Sequence, residues 1–137
     1  MDTESLYQII KEKGGRLTKT RKEIIRALLD SDCLLSQKDI VSALQSRSLI
    51  PDRSTLFREL AFLVKNTIVR KNTITGVDYY EIAHDNHHHL VCLGCHSIDK
   101  VDLGAHLEKQ EKAISKEKKF EITNHSLEFY GYCKRCK

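Results

Sequence analysis

The chain has 137 residues, of which 40% are hydrophobic and 31% charged, with a formal net charge of +4. That length favours one domain or two small ones and leaves little room for a large enzyme core. No apolar run approaches the ~20 residues of a membrane helix, the first residues carry early acids without the basic-then-apolar order of a signal peptide, and five cysteines is an odd number for a secreted disulfide scaffold, so the cytoplasm is the expected compartment.

In chain order, residues 4–12 (ESLYQIIKE) read as a short helix stopped by Gly14-Gly15. Thr18 caps a second helix running to about Leu29, with Ile24, Ile25, Leu28 and Leu29 at helical spacing. Seven bases and two acids fall within residues 11–26, net +5. Such a run is either a solvated helix face or a phosphate-contacting surface. Ser36, followed three positions later by Asp39, marks a third helix with Ile40, Val41 and Leu44 inward. Pro51 closes that segment. Asp52 or Ser54 starts a fourth helix bearing Leu56, Leu60 and Leu63. TIVRKNTITGVDYYEI then reads as two strands around a turn at Thr75-Gly76. Three helices followed by a two-stranded ribbon form a winged helix-turn-helix. A plain helical bundle with a hairpin is the alternative, but the basic stretch and the short Ile50-Pro51 connector favour DNA binding.

The second half differs in composition. All seven histidines and four of the five cysteines lie beyond residue 83. Residues 87–92 (HHHLVC) read as a strand, 104–118 as a helix using Leu107 and Ile114, and 120–132 as rich in β-formers. The change in composition places a boundary near Ile82–Asn86. We therefore expect an α+β chain with a winged helix over 1–82 and a small metal-binding α/β domain over 83–137.

Cys92-Leu93-Gly94-Cys95 and Cys133-Lys134-Arg135-Cys136 are two CxxC knuckles. Each tight turn supplies two thiolates, and zinc takes four at ~2.3 Å in a tetrahedron. A set filled by four sulfurs is structural rather than catalytic. In small units such binding supplies ~10–16 kcal/mol of folding free energy. The 37 residues between the knuckles must hold a helix and a strand, so the pairs pin the first strand to the last residues. A pair of redox motifs or a disulfide set would be unusual in so small a domain and in this compartment. The run His87-His88-His89 lies on the expected strand, where side chains alternate faces. His87 and His89 would point one way and His88 the other, an arrangement able to serve two metal sites. Imidazoles with carboxylates suit Zn²⁺ or Fe²⁺. His96 and His106 are read as ordinary residues.

Together four stretches resemble the ferric uptake regulator family over nearly the whole chain: LTKTR at 17–21, DRSTLFREL at 52–60, HHHLVCLGC at 87–95 and FEITNHSLEFYGYC at 120–133. The resemblance implies a homodimeric repressor of metal-homeostasis genes, with an N-terminal winged helix and a C-terminal dimerisation domain, that binds palindromic operators in double-stranded DNA when metal-loaded. The dimer could pair further into a tetramer. It assigns Cys92, Cys95, Cys133 and Cys136 to a structural zinc. A second set looks like His88, Glu108 and His125, and a third, bridging the domains, like Glu81, His87 and His89. The regulatory ion would be Fe²⁺, or else Zn²⁺ or Mn²⁺. The sequence departs from the pattern at three places. Asn86 replaces a frequent histidine of the second set, Leu34 the histidine before the third helix, and Lys100 an acid. The interdomain sensor is thus expected to be altered, weakened or rebuilt with Cys33.

On the recognition helix, with Ser54 and Thr55 at its start, Arg58 and Phe57 are the candidates for base edges, Phe57 against thymine methyls. Arg16 would enter a minor groove, and Lys19 and Arg21 would reach phosphates. For Arg21 the structural alternative is a helix-start residue tied to a local acid. A metal held by Glu81, His87 and His89 would fix the angle between domains and so the ~34 Å spacing of paired recognition helices. Two other classes compete: a zinc hydrolase, for which no nucleophile constellation is seen, and a metal-buffering protein without a DNA role.

Overall fold

The computed structural model describes residues 2–31, 34–83, 88–103, 106–123 and 125–137, with backbone alone at His106. The chain divides into two units, Met1–Asp85 and Asn86–Lys137.

In the first unit, α1 (Thr3–Glu12) begins at Asp2, whose carboxylate accepts the Ser5 N–H at 2.9 Å. It ends where Gly15 N–H returns to Ile10 C=O and Gly14 N–H to Lys11 C=O, the paired closure that a left-handed glycine permits. Thr18 caps α2 (Lys19–Asp30), Ser36 caps α3 (Gln37–Gln45) and Asp52 caps α4 (Arg53–Lys65). At α3 the capping box is reciprocal: Asp39 N–H donates to Ser36 Oγ at 3.1 Å, and Ser36 N–H to Asp39 Oδ2 at 3.0 Å. Each such cap contributes about 1 kcal/mol.

The wing is a three-stranded sheet in the order β1 (Leu35–Ser36), β3 (Val77–Ile82), β2 (Val69–Ile74). Its hairpin turns through Thr75 and Gly76, both at positive φ (51° and 81°), the geometry a two-residue hairpin loop needs to match strand twist. Three inward stripes meet over it: Leu6 and Ile10 of α1, Ile24 and Ile25 of α2, Leu60 and Leu63 of α4, none more than 1% exposed. Burying each such side chain contributes about 1.5–3 kcal/mol.

The second unit is a three-stranded sheet with β4 (His88–Cys92) in the centre. β5 (Ile98–Val101) runs antiparallel on one side and β6 (Glu128–Gly131) parallel on the other. The helix α5 (His106–Lys118) connects β5 to the segment leading into β6. Among the described residues of 120–132, a strand forms only over Glu128–Gly131. The earlier described β-formers, Phe120 to Thr123 and His125 to Leu127, lie outside the sheet, and Ile122, Thr123 and His125 line a cleft with Leu107 and Ile114 of α5. Among the described residues of this unit Val91, Cys92, His88 and His89 are buried, a smaller core than that of the first unit. No helix among the described residues is long and apolar enough to cross a membrane.

Arg21 ties α2 to α4. Its Nε donates to Glu59 Oε2 at 2.6 Å, Nη1 reaches the Arg16 carbonyl at 3.0 Å, and the guanidinium lies 3.9 Å from the Phe62 ring centroid. The ion pair is largely screened from water, with side chains 11% and 16% exposed. Truncating one partner of such a pair leaves the other charge uncompensated. Arg21→Ala should therefore lower the stability of the first unit by about 2–4 kcal/mol. Glu59→Gln, which keeps a hydrogen-bond acceptor, should cost less. Denaturant unfolding followed by far-UV circular dichroism checks both.

Candidate metal centre

The two CxxC turns come together. Cys92 ends β4, Cys95 closes the turn after it, and Cys133 and Cys136 follow β6. Because β4 and β6 are hydrogen-bonded neighbours in parallel register, with Cys92 opposite Gly131, their ends present both turns on the same edge of the sheet. One sulfur from each residue lies within 4.8 Å of the others, the one metal-type cluster of three or more donors among the described residues. The four thiols are free, and the Cys95 and Cys133 sulfurs are 3.8 Å apart, far beyond a ~2.05 Å disulfide bond.

The surroundings are built for thiolate. Cys92 Sγ accepts the backbone N–H groups of Cys133 at 3.3 Å and Cys95 at 3.5 Å. Those donors pull the Cys92 thiol down to about 6 from its ordinary value near 9. Contact with Ser97, whose hydroxyl lies 3.1 Å from Cys95 Sγ, lowers Cys95 as well. Cys136 goes the other way. Crowded first by Cys133 and then by Cys92, it is pushed up to about 12. Four sulfurs so close cannot all ionise without a counter-cation. Gly94 belongs to the same cradle: a Cβ there would stand 2.8 Å from Cys136 Cβ and 2.9 Å from its sulfur. Four soft donors, converging without an open side-chain position and stripped of side-chain bulk at Gly94, fit a closed tetrahedral zinc.

A second group of donors lies on the same unit. His88, 6% exposed, sends its ring to within 5.2 Å of the His125 ring, centroid to centroid. His125 Nδ1 is in short contact with Glu111 Oε1. The acid set against His125 is thus Glu111, one helical turn beyond Glu108. Both glutamates line one cleft beside α5. Sequence reasoning passed over Glu111, although the i, i+3 spacing from Glu108 places the two carboxylates on one helix face. These imidazoles and carboxylates are nitrogen and oxygen donors of the kind divalent first-row cations take, but among the described residues no three of them bring ligand atoms as close together as the four sulfurs do.

The remaining candidates divide between the units. Glu81, on β3, is 4% exposed; its Oε1 accepts from Asn72 Nδ2 at 3.3 Å and lies 3.7 Å from Arg70 Nη1. His89, on β4, is 2% exposed and stands in register between Lys100 and Glu128. His87, with His84, Asp85, Asn86 and Cys33, lies outside the described residues. On α4, Ser54, Phe57 and Arg58 are exposed and Thr55 half-buried, Phe57 strongly so at 65%. Arg16 and Lys19 are exposed, whereas Arg21 is turned onto Glu59. Its place is the structural one: a guanidinium clasped by a carboxylate, a carbonyl and a ring is committed to packing α2 on α4.

The family model described as the ferric uptake regulator family matches residues 12–130. A Bacillus subtilis ferric uptake regulation protein is 33% identical over 127 residues, spanning 88% of this chain and 85% of the relative. The peroxide-responsive repressor PerR of Staphylococcus epidermidis is 28% identical over 138 residues, spanning 99% and 91%. Among solved structures, the Helicobacter pylori ferric uptake regulator, which has three functional metal binding sites, aligns with a TM-score of 0.76 at 25% identity, over 99% of this chain and 94% of that one.

Loading the four-cysteine site must displace the Cys136 proton, held up to about 12, at any neutral pH. Apparent zinc affinity should rise with pH between 6 and 8. It should fall more steeply below about 6, where Cys92 also takes up a proton. Competition with a chromophoric chelator across that range measures the slope. Gly94→Ala should speed zinc loss to the same chelator at least tenfold.

Proposed function

This chain belongs to the ferric uptake regulator family of metal-responsive transcriptional regulators, which are not enzymes, and from that premise we propose that it is an iron-responsive repressor working as a homodimer on palindromic operators in the cytoplasm. The observation that carries the reading is the separation of two donor sets in one small unit. A closed set of four thiols suits a permanent zinc. A mixed set at His88 and His125, with Glu111 and Glu108 beside it, suits an exchangeable ion.

The roles follow from position. Cys92, Cys95, Cys133 and Cys136 hold the ends of β4 and β6 together. His88 projects from β4 toward His125, which precedes β6, and Glu111 orients the His125 ring from α5. When bound there, a divalent cation supplies a Lewis-acid tie between imidazole and carboxylate donors. The donors then draw sheet and helix into one arrangement. Exposed apolar groups on this unit, Ile114, Phe120, Phe129, Tyr130 and Tyr132, are each 44–64% exposed and support pairing with a second copy. In a dimer, two α4 helices must meet major grooves ~34 Å apart or a multiple of it. Arg58 and Phe57 then face base edges, Arg58 toward guanine and Phe57 toward thymine methyls, with Ser54 and Thr55 at the helix start. Arg16 and Lys19 lie where phosphates or a minor groove can be reached. The same N/O donor set accepts Zn²⁺ or Mn²⁺, so a zinc- or manganese-sensing member of the family is the second reading.

Gel shifts on operator DNA with Fe²⁺ (anaerobic), Mn²⁺ and Zn²⁺, alongside metal analysis, separate these readings. Fe²⁺ should give the tightest complex at the lowest free metal; a stronger response to Zn²⁺ or Mn²⁺ selects the second reading, and no DNA binding under any metal leaves a metal-buffering protein. Arg58→Ala should weaken specific binding about 10- to 150-fold, the equivalent of ~1–3 kcal/mol, while zinc content and oligomeric state stay unchanged.

A further inference from the structure

Resting on the assignment of the four cysteines to zinc, and independent of any DNA role, we infer that Cys136 is a covalent modification site, where the loaded centre reacts with a small anionic disulfide, forms a mixed disulfide and gives up its metal. The four sulfurs are not equivalent. Cys92 is buried, and its sulfur accepts the backbone N–H groups of Cys133 at 3.3 Å and Cys95 at 3.5 Å. Cys95 is exposed, but its sulfur lies 3.1 Å from the Ser97 hydroxyl, which donates once that sulfur is a thiolate. The second knuckle has no counterpart: among the described residues no N–H or hydroxyl donor reaches the Cys133 or Cys136 sulfur. Of these two, Cys133 is half-buried and Cys136 exposed. The bare backbone of Gly94 packs beside Cys136, since a Cβ there would stand 2.9 Å from its sulfur, so that turn puts no side chain over it.

With zinc bound all four sulfurs are thiolates, so access and hydrogen bonding rank them rather than proton loss. A donor draws charge off sulfur and steadies it as a ligand. A thiolate without one keeps its lone pair for an electrophile that can reach it, and Cys136 meets both conditions. Charge selects the partner. Four thiolates on one Zn²⁺ leave a surplus of negative charge, which repels an anion. Lys134, Arg135 and Lys137, all exposed, flank Cys136, and no acid falls within residues 129–137. They offset the surplus at this knuckle, whereas Leu93 and Gly94 supply no charge at the other. In the step, Cys136 Sγ attacks one sulfur of the disulfide. The old S–S bond breaks, the far sulfur leaves as a thiolate with the bonding pair, and the new S–S bond replaces the bond from Cys136 to zinc. One disulfide is consumed and one formed, so no further oxidant is needed.

The test treats the full-length, zinc-containing protein with oxidised glutathione, an anionic disulfide, or hydroxyethyl disulfide, a neutral one. Peptide mass mapping locates the adducts, and a chromophoric chelator reports zinc. Of the four cluster cysteines, Cys136 should carry the first adduct, with zinc released as that adduct forms. The double variant Lys134→Gln, Arg135→Gln should slow the glutathione reaction at least threefold at low salt and leave the neutral one within twofold. Ser97→Ala, which strips Cys95 of its donor, should bring adducts onto Cys95 as well. A first adduct on Cys92 or Cys95 in the native chain, zinc release that precedes any adduct, no adduct at all, or equal slowing of both disulfides in the double variant overturns the proposal while leaving the zinc assignment intact. Native protein that binds no zinc overturns both.

Discussion

Four sulfur atoms within 4.8 Å of one another are the constraint on which the second unit turns. As neutral thiols they make poor hydrogen bonds. As thiolates they repel, and the opposed behaviour of Cys92 and Cys136, one held low by backbone donors and the other pushed up by its sulfur neighbours, records that conflict within one cluster. A cation resolves it. The unit has few other resources: a three-stranded sheet, a helix with a half-buried stripe at every fourth residue, and several large side chains facing outward. The first unit is different in kind, since apolar stripes from four helices and a wing meet in a buried cluster and no ion is needed to explain its packing.

The histidine run shows how strand geometry distributes chemistry. Alternation along β4 sends His88 and His89 to opposite faces, and both are buried. One face finds another imidazole and a helix acid; the other finds a lysine and a glutamate in register. Neighbouring residues of the same type thus receive different environments from the strands beside them.

Much of the first unit is legible from local signals. Thr18, Ser36 and Asp52 cap the helices whose starts they mark, and Thr75-Gly76 makes the hairpin turn, because caps and tight turns are decided by residues three or four apart. The knuckle pairs are legible because CxxC spacing is itself local. What escaped depends on distant partners. β1 is two residues long and exists through its pairing with β3. β5 (IDKV) carries two charges in four residues and is a strand through β4. Phe120, Ile122 and Thr123 are strand-forming residues and yet lie outside the sheet, since the open edge beside β4 is taken by Glu128–Gly131. The engagement of Arg21 by Glu59, 38 positions away, and the pairing of Glu111 rather than Glu108 with His125 are likewise tertiary facts.

The parallel alignment of β4 with β6 carries a kinetic implication. Parallel neighbours need a long crossover, and Cys92 finds Gly131 only after roughly forty intervening residues have been ordered. Such distant pairings form slowly, because the loop must close before any contact rewards it. The helical first unit, dominated by nearby contacts, has no comparable wait. A newly made chain therefore passes through a period in which its helical first unit is assembled and its second unit is still searching. An ion captured between the two cysteine turns would end that search and shorten the time each copy stays open to proteases.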